Sequence, residues 1–130
     1  MTSEKCCPFC ELPPERVIAS NAHGLVVRDG FPVSPGHTLV LPKRHIGSFF
    51  GLTPDERQAL LDLLDESRAS IATQLKPDGY NIGINDGAAA GQTVPHLHIH
   101  LIPRFTGDVL DPRGGVRWIF PLKADYWSER

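Results

Sequence analysis

After an irregular stretch at residues 1–16, short apolar runs alternate with turn residues. Arg16-Val17-Ile18-Ala19 and Leu25-Val26-Val27 read as two strands, linked as a hairpin by Ser20-Asn21-Ala22-His23-Gly24, which leaves His23 at the surface. Asp29 to Gly36 holds two glycines and two prolines, which break a ladder, so it reads as a loop. His37-Thr38-Leu39-Val40-Leu41 is a third strand, stopped by Pro42. One long helix is well marked. Thr53 is its N-cap, Pro54 its first residue, and Glu56 completes a capping box. Leu60, Leu64, Ile71 and Leu75 follow at helical spacing, with Leu61 and Leu63 widening the stripe, and Pro77-Asp78-Gly79 ends it. A shorter helix is expected near Ile46 to Leu52. Tyr80 to Asn85 alternates as a strand, and Asp86 to Thr93 is a loop of small residues. His96 to Ile102 alternates strictly, with Pro95 at its start. Strands outnumber helices, which predicts an α+β fold on an antiparallel sheet of about five strands. A single domain over residues 1–130 is expected, with a cysteine-bearing segment at 1–16 and a tail at 106–130.

Strict alternation changes the meaning of Pro95-His96-Leu97-His98-Ile99-His100. In a strand, alternate side chains share a face. His96, His98 and His100 would point one way, and Leu97, Ile99 and Leu101 would enter the core. Alternate residues lie about 6.6 Å apart, so three imidazoles in a row are poorly placed to share one ion. They suit a phosphoryl group better. Neutral imidazole is a nucleophile, its protonated form is a donor, and the two forms interconvert near neutral pH. Gly87 and Gly91 read first as turn-makers, and they also allow close approach of backbone amides to an anion; Asn85, Gln92 and Thr93 add neutral polar groups.

Bulk properties narrow the field. The chain has 130 residues, 41% of them hydrophobic and 22% charged, with a formal net charge of −2. That charge argues against nucleic-acid binding through an overall basic field. No apolar run approaches the roughly 20 residues of a membrane span, and the first residues lack the apolar stretch of a secretion signal. A cytoplasmic protein is expected. Three cysteines, Cys6, Cys7 and Cys10, crowd the N-terminus. An odd number in a reducing compartment points to metal or plain packing rather than disulfides.

His96-Leu97-His98-Ile99-His100-Leu101-Ile102 resembles the signature of the histidine-triad (HIT) family. Gly91-Gln92-Thr93-Val94, Pro103-Arg104, Pro35-Gly36-His37 and Pro42-Lys43-Arg44-His45-Ile46 are also similar to segments of that family, so the likeness runs in order over about residues 7 to 105. The resemblance implies a HIT-like fold and action at the α-phosphate of nucleoside phosphoramidates or dinucleoside polyphosphates, with no cofactor needed for the chemistry. It implies that His98 attacks phosphorus to give a covalent nucleotidyl-histidine, helped by His96, His100 and the more distant His37. Asp29 would hold the ribose hydroxyls, Asn85 would lie near the scissile phosphate, and Gln92 and Thr93 would contact phosphate or leaving group. Asn85 is similar to the phosphoramidase branch, whereas the loop after it is closer to the dinucleoside polyphosphate hydrolases. The resemblance also implies a homodimer acting on an AMP-type nucleotide, with no membrane or nucleic-acid partner. Leu61 and Leu63 are read as exposed positions compatible with a dimer. Trp118, Tyr126 and Trp127 are expected to close the core, with capping of the partner's pocket as the alternative.

Cys7-Pro8-Phe9-Cys10 has the spacing that grips a tetrahedral zinc ion. It is half a site, and His45 and His96 are the candidates to complete it. A similar pairing in relatives of galactose-1-phosphate uridylyltransferase supports that set, with Cys6 as a bystander. Two rivals stay open. One is a zinc hydrolase using His96 and His98 as ligands of a catalytic metal. The other is a nucleotide-binding module with little turnover.

Overall fold

The computed structural model describes residues 7–128, so Cys6 lies outside the described residues. Five strands form one sheet in the order β1-β2-β3-β5-β4, every neighbouring pair antiparallel. β1 (Val17–Ser20) and β2 (Gly24–Arg28) make the expected hairpin, with His23 exposed in its turn. Asn21 organises that turn. Its Oδ1 accepts from the backbone N–H of His23 and Gly24, and its Nδ2 donates to the Ala59 carbonyl of the helix. β3 is Thr38–Pro42, β4 is Gly79–Ile84 and β5 is Ile99–Arg104.

Two strands take in a proline that the sequence places just outside them. Pro42 is the last residue of β3, where a missing N–H costs little, and Pro103 sits inside β5 opposite Tyr80 of the edge strand β4. The short helix near 46–52 is a single 3₁₀ turn, Phe49–Gly51, closed by the Ser48 side chain accepting from the Phe50 N–H. Asp86 holds that turn from outside, accepting from the Ser48 hydroxyl and the Phe49 N–H.

α1 is Pro54–Gln74. Thr53 Oγ1 accepts from the Glu56 N–H at 3.1 Å, and Glu56 Oε1 accepts from the Thr53 N–H at 2.9 Å, so the capping box closes as the sequence predicts. Glu56 does more than cap. Arg44 donates to both of its oxygens, at 2.9 and 2.8 Å, and these bonds hold its carboxyl down to about 2. Thr53→Ala removes one partner of the reciprocal cap. The expected loss is about 1 kcal/mol of unfolding free energy, read from the shift of the urea midpoint at unchanged slope.

The helix packs on one sheet face. Leu60 and Leu63 of α1 meet Val26, Val40, Leu97 and Ile99 there. A Cβ on Gly24 would lie 2.6 Å from Leu60 Cδ2 and 2.9 Å from Leu63 Cδ1, so glycine is needed where helix and β2 approach most closely. Leu63 is 1% exposed and belongs to this core; of the pair expected outside, Leu61 alone is exposed, at 45%. The other sheet face buries Val27, Leu39 and Leu41 under Phe9, Leu12 and Val17, so the N-terminal segment is its cover.

The tail winds into two 3₁₀ turns, Gly115–Ile119 and Pro121–Lys123. Its aromatics do not close the core. Trp118 and Tyr126 stay 45% and 47% exposed. Cations stack on the tail's rings instead, Arg113 over Trp127 at 4.9 Å and Arg117 over Tyr126 at 4.7 Å.

Candidate active site and metal centre

The three histidines do not form one open row. β5 starts at Ile99, so the period-two rule holds from there and fails before it. The Leu97 N–H donates to the Ile46 carbonyl at 2.7 Å rather than to a sheet neighbour, and the His96 N–H donates to the Val94 carbonyl at 2.8 Å. The chain is kinked here, and His96 turns fully inward, with 0% exposure. His98 and His100 remain together, ring centroids 5.1 Å apart.

Hydrogen bonds set the tautomers. His98 Nδ1 lies 2.9 Å from the His96 carbonyl oxygen, which can only accept, so the proton is on Nδ1 and the Nε2 lone pair is free. The Val33 N–H donates to His37 Nδ1 at 3.2 Å, so His37 carries its proton on Nε2. That proton faces His100 Nδ1 at 2.9 Å, with Asp29 Oδ2 3.4 Å away as a second acceptor. His100 therefore keeps its own proton on Nε2. Burial, partly offset by the Asp29 carboxylate, lowers the His37 pKa below the ordinary imidazole value. Burial first, then the neighbouring His98 and His37, lowers that of His100. Both rings are thereby held neutral. The site offers one free imidazole nitrogen beside one imidazole N–H donor.

His37, His100 and Asn85 line an open cleft of about 1360 Å³ between the sheet and the C-terminal tail. Asn85 is exposed there. Asp29 is engaged within the chain, Oδ1 accepting from the Phe31 N–H and Oδ2 facing His37, beside a smaller hollow of about 410 Å³. Gln92 braces the loop. Its Oε1 accepts from the Gly87 N–H, and its Nε2 donates to the carbonyls of Gly47 and Val94. The N–H groups of Ala90, Gly91 and Gln92 also bond within the loop. The amides of 87, 90, 91 and 92 that glycine was expected to lend to an anion are therefore spent. Gly87 and Gly91 serve the backbone, with φ of 98° and 93°. Thr93 is exposed in the segment leading to Pro95.

A second constellation lies behind His96. Cys7 Sγ, Cys10 Sγ, His45 Nδ1 and His96 Nδ1 come within 4.8 Å of one another. Cys7 and Cys10 lie 3.4 and 3.5 Å from His96 Nδ1, Cys10 lies 3.2 Å from His45 Nδ1, and the two imidazole nitrogens are 3.3 Å apart. Tetrahedral zinc with two sulfur and two nitrogen ligands has edges of about 3.5 Å. His96 Nε2–H donates to the Pro42 carbonyl at 2.8 Å, which leaves a lone pair on Nδ1 aimed into the cluster. A backbone acceptor behind a ligating imidazole is the usual outer contact of a metal site. Two thiols and facing imidazole nitrogens fit a soft divalent cation. The same geometry removes one rival. His96 points into the cysteine cluster while His98 Nδ1 is bonded to a carbonyl, so the two do not converge on a shared catalytic metal.

Asp29, His37 and His100 also bring three donor atoms within 4.8 Å. Here the tautomers decide against a metal, because the Val33 N–H forces the His37 proton onto the nitrogen that would have to ligate.

Sequence reasoning has Phe9 as a packing residue of the knuckle and misses its contact with the histidines. Its ring meets His98 edge-on at 5.1 Å and His96 at 5.9 Å. Nothing local signals that contact across about ninety residues of chain.

The model of the HIT domain matches residues 12–107. An uncharacterized HIT-like protein of Mycoplasma genitalium is 38% identical over 103 residues, covering 76% of this chain and 73% of that one. The AP-4-A phosphorylase of Mycobacterium tuberculosis is 34% identical over 111 residues, covering 78% of this chain and 55% of that protein. Among solved structures, a Zn-bound histidine triad family protein from Mycobacterium smegmatis superposes with a TM-score of 0.74 at 34% identity, covering 84% of this chain and 82% of that chain. The chain belongs to the HIT family.

Proposed function

We propose that this protein is a nucleotide hydrolase or transferase that works through a covalent nucleotidyl intermediate on His98. The observation that carries the reading is the free His98 Nε2, left by the bond of Nδ1–H to the His96 carbonyl. Nε2 attacks the α-phosphorus of the bound nucleotide. A phosphorus–nitrogen bond forms, and the bond from phosphorus to the leaving group breaks. His100 Nε2–H donates to a phosphoryl oxygen as negative charge gathers there. Water then attacks the same phosphorus, expels His98 Nε2, and its proton passes to solvent.

Neutral His37 and His100 favour a leaving group that departs as an anion. A polyphosphate does so at neutral pH, whereas an amine must first gain a proton. The cleft of about 1360 Å³ leaves room for a second nucleoside. The name of the mycobacterial phosphorylase points the same way. We therefore place dinucleoside polyphosphates, with an AMP-type half bound at His98, ahead of phosphoramidates. Cys7, Cys10, His45 and His96 would hold zinc, which supplies a structural crosslink. The reading includes a cytoplasmic setting, where the thiols stay reduced, and a homodimer that covers exposed Leu61 and the edge strand β4.

The test is turnover of diadenosine tri- and tetraphosphate against adenosine phosphoramidate, with free metal chelated. Faster cleavage of the dinucleotides, with an acid-labile AMP adduct on the protein, is the expected result. Tight nucleotide binding without an adduct or turnover of any of the three would instead define a binding module.

A further inference from the structure

His100 has a direct neighbour on each side in the sheet, Leu39 of β3 and Gly83 of β4. Residues paired in this way share a sheet face. The β3 side is closed, because Leu39 lies in the layer that Phe9 and Leu12 cover. The β4 side is open. Gly83 is exposed, and among the described residues a Cβ built on it would meet no atom within 4 Å beyond its chain neighbours. Asn81 and Asn85 line the cleft on either side of it, each about 7 Å away along the strand direction. Asn81 is taken up. Its Oδ1 accepts from Arg104 Nη1 at 2.7 Å, and a Cβ on Gly115 of the tail would lie 3.3 Å from its Nδ2. The tail therefore reaches the strand at Asn81 and leaves Gly83 bare.

Neither backbone nor packing asks for glycine at this position. Gly83 is not among the glycines of positive φ, and no neighbour would collide with a side chain there. Glycine within a strand weakens it, and it often marks a place where a ligand comes close to the backbone. A flat nucleobase can lie on a bare peptide at van der Waals distance, where a side chain would hold it off. Ile102, half-buried and diagonal to Gly83 on β5, offers that base an apolar neighbour. We infer that Gly83 is a specificity-determining residue: its missing side chain leaves a seat for the nucleoside of the leaving group, and so admits a dinucleoside polyphosphate beside His100. The inference rests on the reading of His98 as the nucleophile and of dinucleoside polyphosphates as substrates.

Gly83→Val and Gly83→Ala are compared with wild type in the full chain. The first readout is the ratio of kcat/KM for diadenosine tetraphosphate to that for adenosine phosphoramidate, whose leaving group is only ammonia. That ratio should fall about 10- to 100-fold in the valine variant, the scale of misfitting methyl groups in a binding site. It should fall by less in the alanine variant, so that the loss follows side-chain size. Neither variant should melt below wild type, since valine suits a strand better than glycine does. The second readout is calorimetric binding in the His98→Ala background, where the affinity for diadenosine tetraphosphate relative to AMP should fall by a similar factor. An unchanged or raised ratio in the folded valine variant overturns the inference. So do equal losses on both substrates, which would mean general damage to the site or to an assembly. A valine variant that does not fold, or melts well below wild type, also overturns it, because the fold itself would then need the glycine. Wild type that forms no AMP adduct, or cleaves no dinucleotide, overturns the reading on which the inference rests; wild type that does both, with the ratio unmoved in Gly83→Val, overturns the inference alone.

Discussion

His98→Ala is expected to lower turnover of diadenosine tetraphosphate by about 10⁴-fold or more, while the affinity for a non-cleaved AMP analogue changes little. The expectation follows from what the side chain touches. Among the described residues, its side chain bonds to the His96 carbonyl alone, and its ring neighbours are Phe9 and His100. Removing it leaves no ion pair broken, and the cleft lined by His37, His100 and Asn85 stays intact. What disappears is the imidazole nitrogen of the His37–His98–His100 group whose lone pair is free. His100 cannot replace it, because its Nδ1 is occupied by His37 and its Nε2 carries the proton. The measurement is single-turnover quench with acid-stable and acid-labile phosphate separated, alongside calorimetric binding. Turnover within about tenfold of wild type in the variant would rule out covalent catalysis at this position.

The second large effect concerns stability. Chelating the metal, or replacing Cys7 by Ser, is expected to remove several kcal/mol. A ligand present at about 1,000 times its dissociation constant stabilises the folded state by about 4 kcal/mol. For a domain of this size that corresponds to a fall in Tm of roughly 10–15 °C. The structural cause is specific. Cys7 and His96 are both fully buried, and the cluster joins the N-terminal cover to the segment that carries His98. The Nδ1 atoms of His45 and His96 stand 3.3 Å apart, close enough for one cation to hold both. The check is metal analysis of the purified protein followed by thermal unfolding with and without chelator. Sub-stoichiometric zinc together with an unchanged Tm would mean that the four residues form only a packed cluster.

Much of this was legible in the chain because the signals are local. The capping box at Thr53 and Glu56 depends on residues three apart, and the hairpin at Asn21 on residues two and three apart; both form as read. The Cys7–Cys10 spacing points to half of a four-residue cluster that could hold a metal, and the structure brings His45 and His96 to it, the two residues named from the sequence. Other features are settled by distant competition. The alternation of His96, His98 and His100 is real in the sequence, yet His96 leaves the row because Ile46, Pro42 and the cysteines claim its segment. The loop at 86–93 reads as an anion cradle by composition, but Gln92 is long enough to reach back and take the Gly87 N–H. Leu63 looked exposed because the helical stripe is broad, and only the approach of β2 at Gly24 decides which edge is covered.

The strand order has a consequence for how the chain is made. β5 is inserted between β3 and β4, so its partners are already built when it is synthesised last. The cluster closes only when His96 meets Cys7, 89 residues earlier. During synthesis the two thiols stand without their histidine neighbours, and the carbonyl bonded to His98 is not yet in its final place. Long-range closure of this kind is slow relative to hairpin and helix formation. The hairpin and α1 are thus synthesised before His98 is placed, and a nascent or truncated chain ending before β5 lacks both the closed cluster of Cys7, Cys10, His45 and His96 and the His98–His100 pair.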